Sequence, residues 1–585
     1  MHRGEKFFRL DVLWVGLYTL LLFGFAGFSG RPLTMHEARL PQTSREMLAH
    51  HEWLLPTSGD RPWLERPPLP HWLVVSVMKI FGHDDRVWIV RLPSAVMGTL
   101  TALLTLYIAR TCFSPTVGIV AGCLLATSFK FYQYACLAED DVYLAALVAL
   151  AAAFFTRGEW AANSGEPLGW WSFFGNRPWR VWGFFTVLGV SNIAKGPLLG
   201  ILILGSATGV YLCAVSIIQR SAQPLLRYTW LWGWILLIVL TLGWPIWAWH
   251  RYPDVLENWK YDYLGRFSGD YTAINQPWWY YPPKLIVGML PWTPVCVIGL
   301  GLAAVIVARA ARRRAEVDQD AVDEHAGTPR LRGGPTLEYY TPEKPSSWYT
   351  RIQQMIEEET ADARGYLWIL CWALVPLLVL SIPKGKHDHY LVPFLAPWAI
   401  LGAIGLVECA KAVHLGRKTF ATALAVLCLG YCAGEALFAA RTDHTLDDTA
   451  FLLRCQREVP GNVALYINGK LGPPGNLDFF RIQFYSRPDA KLLHNLSFLR
   501  ADSIAQPVVY VIARQIDERL LTQLGTFKRI DQSPRSHDMD TPSGRFTLYR
   551  LTFNPQLQRY PVPNRISSLQ AMERADGPWC GPPLR

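Results

Sequence analysis

The hydrophobic and polar positions of this chain fall into long apolar runs joined mostly by short polar segments. A helix needs about twenty apolar residues to cross ~30 Å of hydrocarbon. Runs near that length occupy 11–29, 88–109, 116–133, 142–156, 180–194, 197–217, 229–249, 286–308, 366–382, 391–411 and 419–440. The first follows Arg3, Lys6 and Arg9 and lacks a clear small-residue cleavage site, so it reads as an uncleaved helix rather than a signal peptide. The pattern predicts a polytopic α-helical membrane protein with about eleven spans.

Three stretches break the pattern. Residues 69–82 are apolar but short, and His71 and Lys79 interrupt them. Counted as a span they would invert everything downstream, so they are placed as a helix lying on the outer surface or re-entering it. Residues 310–364 are polar, charged and rich in Gly and Pro, as a cytoplasmic linker would be. Beyond Arg441, alternating stretches at 462–468, 507–514 and 545–553 read as strands, with helical stretches near 476–486 and 515–524. The expected organisation is a membrane domain over 1–440, with an outer loop carrying surface helices at 30–87. A small α/β domain outside the membrane over 441–555 and a Pro-rich tail over 556–585 complete it.

Composition agrees with a membrane location. Hydrophobic residues make up 51% of the chain and charged residues only 17%, against about 25% in soluble domains. The 25 Trp and 24 Tyr suit aromatic belts at two membrane–water interfaces. A net charge of +10 could point to nucleic acid, but the basic residues are spread among short loops. Membrane topology explains them better, and no nucleic-acid partner is expected. With the N-terminus inside, strict alternation puts Arg110, Arg157, Arg177, Arg180, Arg220, Arg227, Arg309, Arg312–Arg314, Lys411, Arg417 and Lys418 on the cytoplasmic side.

The opposite side then collects the unusual polar residues: His36, Glu37, Arg39, Glu65, Arg66, Glu139, Asp140, Asp141, Lys195, Arg266, Asp270, Lys384, Lys386, His387, Asp388, His389 and Tyr390. Ionisable groups this close to a bilayer are expensive unless paired or functional. Cations can neutralise a departing phosphate while a carboxylate takes a proton from an acceptor hydroxyl. Blander readings stand beside this one. Arg39 and Arg66 could touch anionic headgroups, Glu139–Asp141 could be a solvated loop or helix cap, and KGKHDHY could be an exposed loop. Trp278, Trp279 and Tyr280 read as belt aromatics. No Gly-rich nucleotide loop is present.

Eight segments, in order, resemble the membrane glycosyltransferases of GT-C type that include bacterial aminoarabinose transferases for lipid A and the protein O-mannosyltransferases. They are HEARLPQTSREML (36–48), RPWLERPPLPHWL (61–73), RLPSAVMG (91–98), LAEDDVYL (137–144), KGP (195–197), YLGRF (263–267), QPWWYY (276–281) and SIPKGKHDHYLVPF (381–394). By this resemblance Glu37 matches the second acid of the first motif and Asp141 a later Asp. Arg66 stands where a Lys is thought to meet the carrier phosphate, and Arg266 and Lys384 match further basic positions. Arg39, Lys195, Lys386 and Tyr390 join this substrate-binding set. His36 occupies the place of the family's first Asp. His36 could itself be the base, Glu37 could take over, or the chain could be inactive.

The resemblance implies inverting transfer of a monosaccharide from a polyprenyl-phosphate carrier to a glycolipid, protein or glycan. The reaction would take place at the periplasmic face of a bacterial inner membrane, among membrane lipids. Glu37, Asp141 and His36 are the expected catalytic residues. No cofactor is certain, although His36, Glu37 and Asp140 could form a divalent-metal site. The rival reading is a transporter or flippase of a lipid-linked sugar, which should carry charges at mid-membrane depth.

Overall fold

A computed structural model of the 585-residue chain describes residues 2–28, 31–34, 36–58, 61–83, 85–161, 175, 177–196, 198–260, 265–269, 275–325, 363–441, 448–468, 478–487, 490–493, 499, 506–533 and 545–554. Most of the expected linker, and the tail, lie outside the described residues. Each apolar run is carried by helix. The helices are His2–Phe28, Val87–Cys112, Pro115–Ala126 with Phe129–Ala135, Asp141–Ala161, Trp179–Lys195, Ile201–Gly205 continuing as Ser206–Gln219, Leu231–Arg251, Thr293–His325, Arg364–Ser381, Asp388–Phe394 continuing as Leu395–Ala412, and Arg417–Arg441. Among the described residues, seven helices are long and apolar enough to cross a membrane, or eight if the bent pair is one span. The chain is a polytopic helical membrane protein.

Local chemistry accounts for the breaks. The helices Pro115–Ala126 and Phe129–Ala135 meet at 68°. There the Thr127 hydroxyl donates to the Cys123 carbonyl at 2.7 Å and the Ser128 hydroxyl to that of Leu125 at 2.8 Å. Hydroxyls that bond back to helix carbonyls bend helices. The helix from Thr293 runs on to His325, past residue 310 where the linker was expected to start. Its sequence there is Ala-rich with charged helix formers, so it propagates without an apolar face. It packs against Leu395–Ala412 almost backbone to backbone. A Cβ on Gly299 would lie 1.8 Å from the Leu401 carbonyl oxygen, and one on Gly405 2.2 Å from that of Val295. Small residues at such crossings are how membrane helices gain packing without a hydrophobic driving force.

Leu69–Phe81 is a helix of 13 residues, about 20 Å long at 1.5 Å per residue, too short to span. It buries Pro70, His71, Val74, Val75 and Met78 while Ser76, Lys79 and Ile80 stay exposed.

After Arg441 the chain builds a five-stranded sheet ordered Lys491–Leu493, Leu465–Asn468, Val508–Arg514, Phe546–Phe553, Gly525–Gln532. The first two pairings are parallel and the last two antiparallel. Alternation sorts its side chains. Val509, Val511 and Ala513 enter one core with Leu521 and Tyr549. Ile512, Ile467 and Leu548 enter another, which is continuous with the helix bundle. Strands 491–493 and 525–532 escape the sequence pattern. The latter, GTFKRIDQ, is an edge strand whose charges suit an unpaired edge rather than a core.

Charges gather at the two ends of the bundle. Arg91 and Arg110 lie nineteen residues apart on one helix, a rise of about 28 Å. At the Arg110 end, Asp11 meets Arg110 at 2.9 Å and Glu159 meets Arg227 at 3.2 Å. Arg177 also donates to the Arg227 carbonyl at 3.2 Å. The polar residues set aside as outer by the sequence gather at the Arg91 end.

Candidate active site

The segment joining His2–Phe28 to the helix Arg39–His50 is anchored by one buried carboxylate. Glu37 is fully buried and its two oxygens accept four hydrogen bonds. Arg91 gives two, at 2.8 and 3.1 Å, and the amides of Thr34 and Ala138 give one each, at 2.9 and 3.2 Å. Arg91 also donates to the carbonyls of Arg31 and Pro32 at 2.9 and 3.1 Å. Burial pushes the Glu37 carboxyl up, but Arg91 outweighs it and the group titrates below its ordinary range. Glu37 therefore ties three segments together, and it does not line the cleft beside it.

That cleft is lined by His36, Arg39, Leu40, Trp63, Arg66, Pro70, His71, Ala138, Glu139 and Asp140. Three stretches far apart in sequence supply it. Arg39 opens the helix Arg39–His50 and reaches Glu65 at 3.6 Å and His36 Nδ1 at 3.0 Å. A guanidinium only donates, so Nδ1 accepts and the neutral ring carries its proton on Nε2. Burial and then Arg39 keep the His36 pKa below its usual value, consistent with a neutral ring. Arg66 Nε lies 3.4 Å from Asp140 Oδ2, and Arg66 also donates to the Lys195 carbonyl at 3.4 Å.

Asp140 is the carboxylate that faces the cleft. It precedes the helix Asp141–Ala161, whose amino end favours negative charge. Burial alone would raise its pKa, but Lys195, Arg66 and Arg39 outweigh it and hold the group at about 2. Its Oδ2 is buried without a hydrogen-bond donor among the described residues. Buried acceptors are normally satisfied, so this oxygen is suited to a donor brought by a ligand. Next to it, Glu139 is pushed up to about 8, by burial first and then by Asp141 and Glu37. One acid of the pair stays ionised at neutral pH while its neighbour keeps its proton.

Asp141 and Lys195 stand behind this wall. Lys195 is buried at the end of Trp179–Lys195, where Gly196 adopts φ 128°, a conformation open to glycine, and ends the helix. Its ammonium bonds directly to Asp141 and lies 3.4 Å from Asp140. It sits 5.8 Å above the Tyr390 ring, which stands edge-on to His389 at 4.8 Å. Lys130 pairs with Asp388 and fixes Phe129–Ala135 to Asp388–Phe394. Lys386 is buried, with its ammonium donating to the carbonyls of Gln276, at 3.1 Å, and Pro383. Lys384 is exposed, and neither lysine lines the cleft. Arg266 belongs to the short helix Gly265–Ser268, and its side chain lies outside the described residues.

The structure thus brings His36, Arg39, Arg66 and Asp140 to one cleft, with Asp141, Lys195 and Tyr390 behind it. A divalent site from His36, Glu37 and Asp140 does not fit. Both oxygens of Glu37 are taken by Arg91 and amides, and no group of three His, Cys, Asp or Glu among the described residues is placed to hold a metal. Sequence reasoning did not single out Trp63 and His71 as lining residues, nor Arg91 as the partner of Glu37, and it collected Glu139 on the outer side without giving it a role of its own. Arg91 does open the RLPSAVMG segment, and Trp63 and His71 lie within RPWLERPPLPHWL.

The family described as dolichyl-phosphate-mannose-protein mannosyltransferase matches residues 65–249. An undecaprenyl phosphate-alpha-4-amino-4-deoxy-L-arabinose arabinosyl transferase of Edwardsiella ictaluri is 28% identical over 410 residues, covering 69% of this chain and 60% of that protein. A second, from Proteus mirabilis, is 24% identical over 414 residues, again 69% and 60%. The chain thus matches about three-fifths of the length of these curated relatives. In fold it is similar to ArnT from Cupriavidus metallidurans, solved with undecaprenyl phosphate. The TM-score is 0.58 at 16% identity over 94% of this chain and 99% of that one.

Proposed function

Taking the chain as a member of the GT-C membrane glycosyltransferases that use polyprenyl-phosphate sugars, we propose that it moves a monosaccharide from such a carrier to an acceptor hydroxyl or phosphate. Two arginines from different motifs, Arg39 and Arg66, meet in one cleft beside an ionised aspartate whose Oδ2 pairs with Arg66 at 3.4 Å and accepts no hydrogen bond among the described residues, and this observation carries the reading. The guanidiniums take the carrier phosphate, for which their planar fork is suited. The acceptor oxygen attacks the anomeric carbon opposite the phosphate. The bond from that carbon to the phosphate oxygen breaks with its electron pair on the phosphate, and the anomeric configuration inverts. As the new bond forms, the proton of the acceptor hydroxyl passes to Asp140 Oδ2. Protonated Glu139 and the Nε2–H of His36 donate to the sugar or the departing phosphate. Glu37 and Asp141 hold these groups in place.

The membrane part is proposed to cross eleven times with the N-terminus inside, so that the cleft and the C-terminal α/β unit lie on the periplasmic side. The gathering of charges at the two ends of the bundle supports this. A transporter would need charges along a path through mid-depth.

The test is transfer of labelled sugar from a synthetic polyprenyl-phosphate donor by the purified chain in liposomes, followed by mass spectrometry of the acceptor. Arg66→Ala should weaken donor binding about 10- to 100-fold, the range for a charge-assisted hydrogen bond. Unchanged donor binding in this variant would remove the phosphate site.

A further inference from the structure

The C-terminal α/β unit touches the outer loop at the segments that build the cleft. Its helix Asp478–Tyr485 lies against the helix Arg39–His50. Arg45, buried on the latter, donates to the last carbonyls of the former, Gln483 at 2.7 Å and Phe484 at 3.1 Å. Its guanidinium also lies 5.2 Å over the Phe484 ring. A cation at a helix carboxyl end answers both the helix dipole and the orphan carbonyls there. Six residues earlier on the same helix, Arg39 lines the cleft.

Two further contacts reach the same segments. The Leu33 amide donates to the Tyr485 hydroxyl at 2.7 Å, just before the turn that presents His36. Phe480 stands edge-on to Trp63, with ring centres 5.8 Å apart, and Trp63 is a large aromatic wall of the cleft. Tyr485 is itself held, since Gln456 donates to its carbonyl at 2.6 Å. Apolar packing between the units is continuous, with Leu33, Leu40, Phe480 and Phe484 in one core.

We infer that the helix Asp478–Tyr485 is part of the transfer site, and that Arg45 and Tyr485 are positioning residues setting His36, Arg39 and Trp63 for the reaction. This rests on the glycosyltransferase reading above. On the membrane side the loop is pinned by Glu37 and Arg91; on the outer side this helix closes the clamp. The loop between them carries groups that must sit within a fraction of an ångström of the reacting atoms. A misplacement of about 1 Å can cost on the order of 100-fold in rate.

Tyr485→Phe removes the hydroxyl that meets Leu33 and keeps the ring, and Arg45→Met keeps much of the stem and removes the fork. Each variant is compared with the full-length parent in liposomes for three quantities: sugar-transfer kcat, binding of the polyprenyl-phosphate sugar, and hydrogen exchange of peptides spanning 31–40. The expected result is a kcat lower by about 10- to 100-fold with donor Kd within about twofold and faster exchange confined to 31–40. A general loss of structure would instead raise exchange throughout the bundle and weaken donor binding. If Arg45→Met fails to fold, Tyr485→Phe alone decides. Parent-like kcat in Tyr485→Phe, whether or not exchange changes, overturns the inference. A parent chain that transfers no sugar sinks the functional reading and this inference together, so the two failures are told apart.

Discussion

At the scale of single residues, the cleft sets two neighbouring acids in opposite states. Asp140 is held ionised by Lys195, Arg66 and Arg39, whereas Glu139, buried among like charges, holds its proton up to about 8. Proton linkage makes this measurable. An unfolded chain releases the Glu139 proton near 4.5 and the folded chain near 8, so folding takes up a proton between those values. The stability that Glu139 contributes is complete below 4.5 and is lost as pH rises through 8. Glu139→Gln cannot ionise, so its thermal midpoint should fall less than the parent's between pH 6 and pH 9, and its transfer rate should lose the parent's decline above pH 8. Parallel pH profiles for the two proteins would show that Glu139 is already ionised in the native state.

Between elements, the pair Glu37–Arg91 joins the outer loop to Val87–Cys112 and to the turn before Asp141–Ala161. Both partners are almost wholly buried, at 0% and 2% exposure. Removing one member of such a pair strands the other and costs about 3–5 kcal/mol. Glu37→Gln should therefore lower the thermal midpoint of the detergent-solubilised protein sharply, and Glu37→Gln with Arg91→Met should recover part of the loss. A proton-accepting role predicts the opposite profile. The midpoint would be preserved, and turnover would fall by about 10²–10⁴. Measuring both quantities on one variant separates a tie between elements from a base.

For the whole molecule, the two charged ends of the bundle become a topology. The proposed orientation follows the positive-inside rule, with the Arg110 end in the cytoplasm and the cleft on the other side. Single cysteines at the exposed positions His51, His83 and Leu520 should react with a membrane-impermeant maleimide from the periplasmic side. Cysteines at Arg220 and His414 should react only after the membrane is opened. Labelling of His414→Cys in intact spheroplasts would contradict a cytoplasmic position for that loop. If the two sets exchange behaviour, the eleven-span orientation is inverted.

What the sequence determined by itself was the periodic, local part. Long apolar runs can only be helices in hydrocarbon, where each backbone group must bond within its own segment. Hence the bundle, the short helix at Leu69–Phe81 and the change to an α/β unit after Arg441 were all legible. The order of motifs also placed Arg39, Arg66 and Lys195 in one set. Tertiary structure decided which acids meet the cleft. Glu37 and Asp140 look alike in a sequence, since both sit in a polar loop before a helix. Only packing shows that Arg91 and two amides take both oxygens of one, while Oδ2 of the other faces the cleft with no hydrogen bond among the described residues. The clamp from Asp478–Tyr485 was equally out of reach, because Arg45 and Gln483 stand 438 residues apart and no local pattern encodes a contact over that separation.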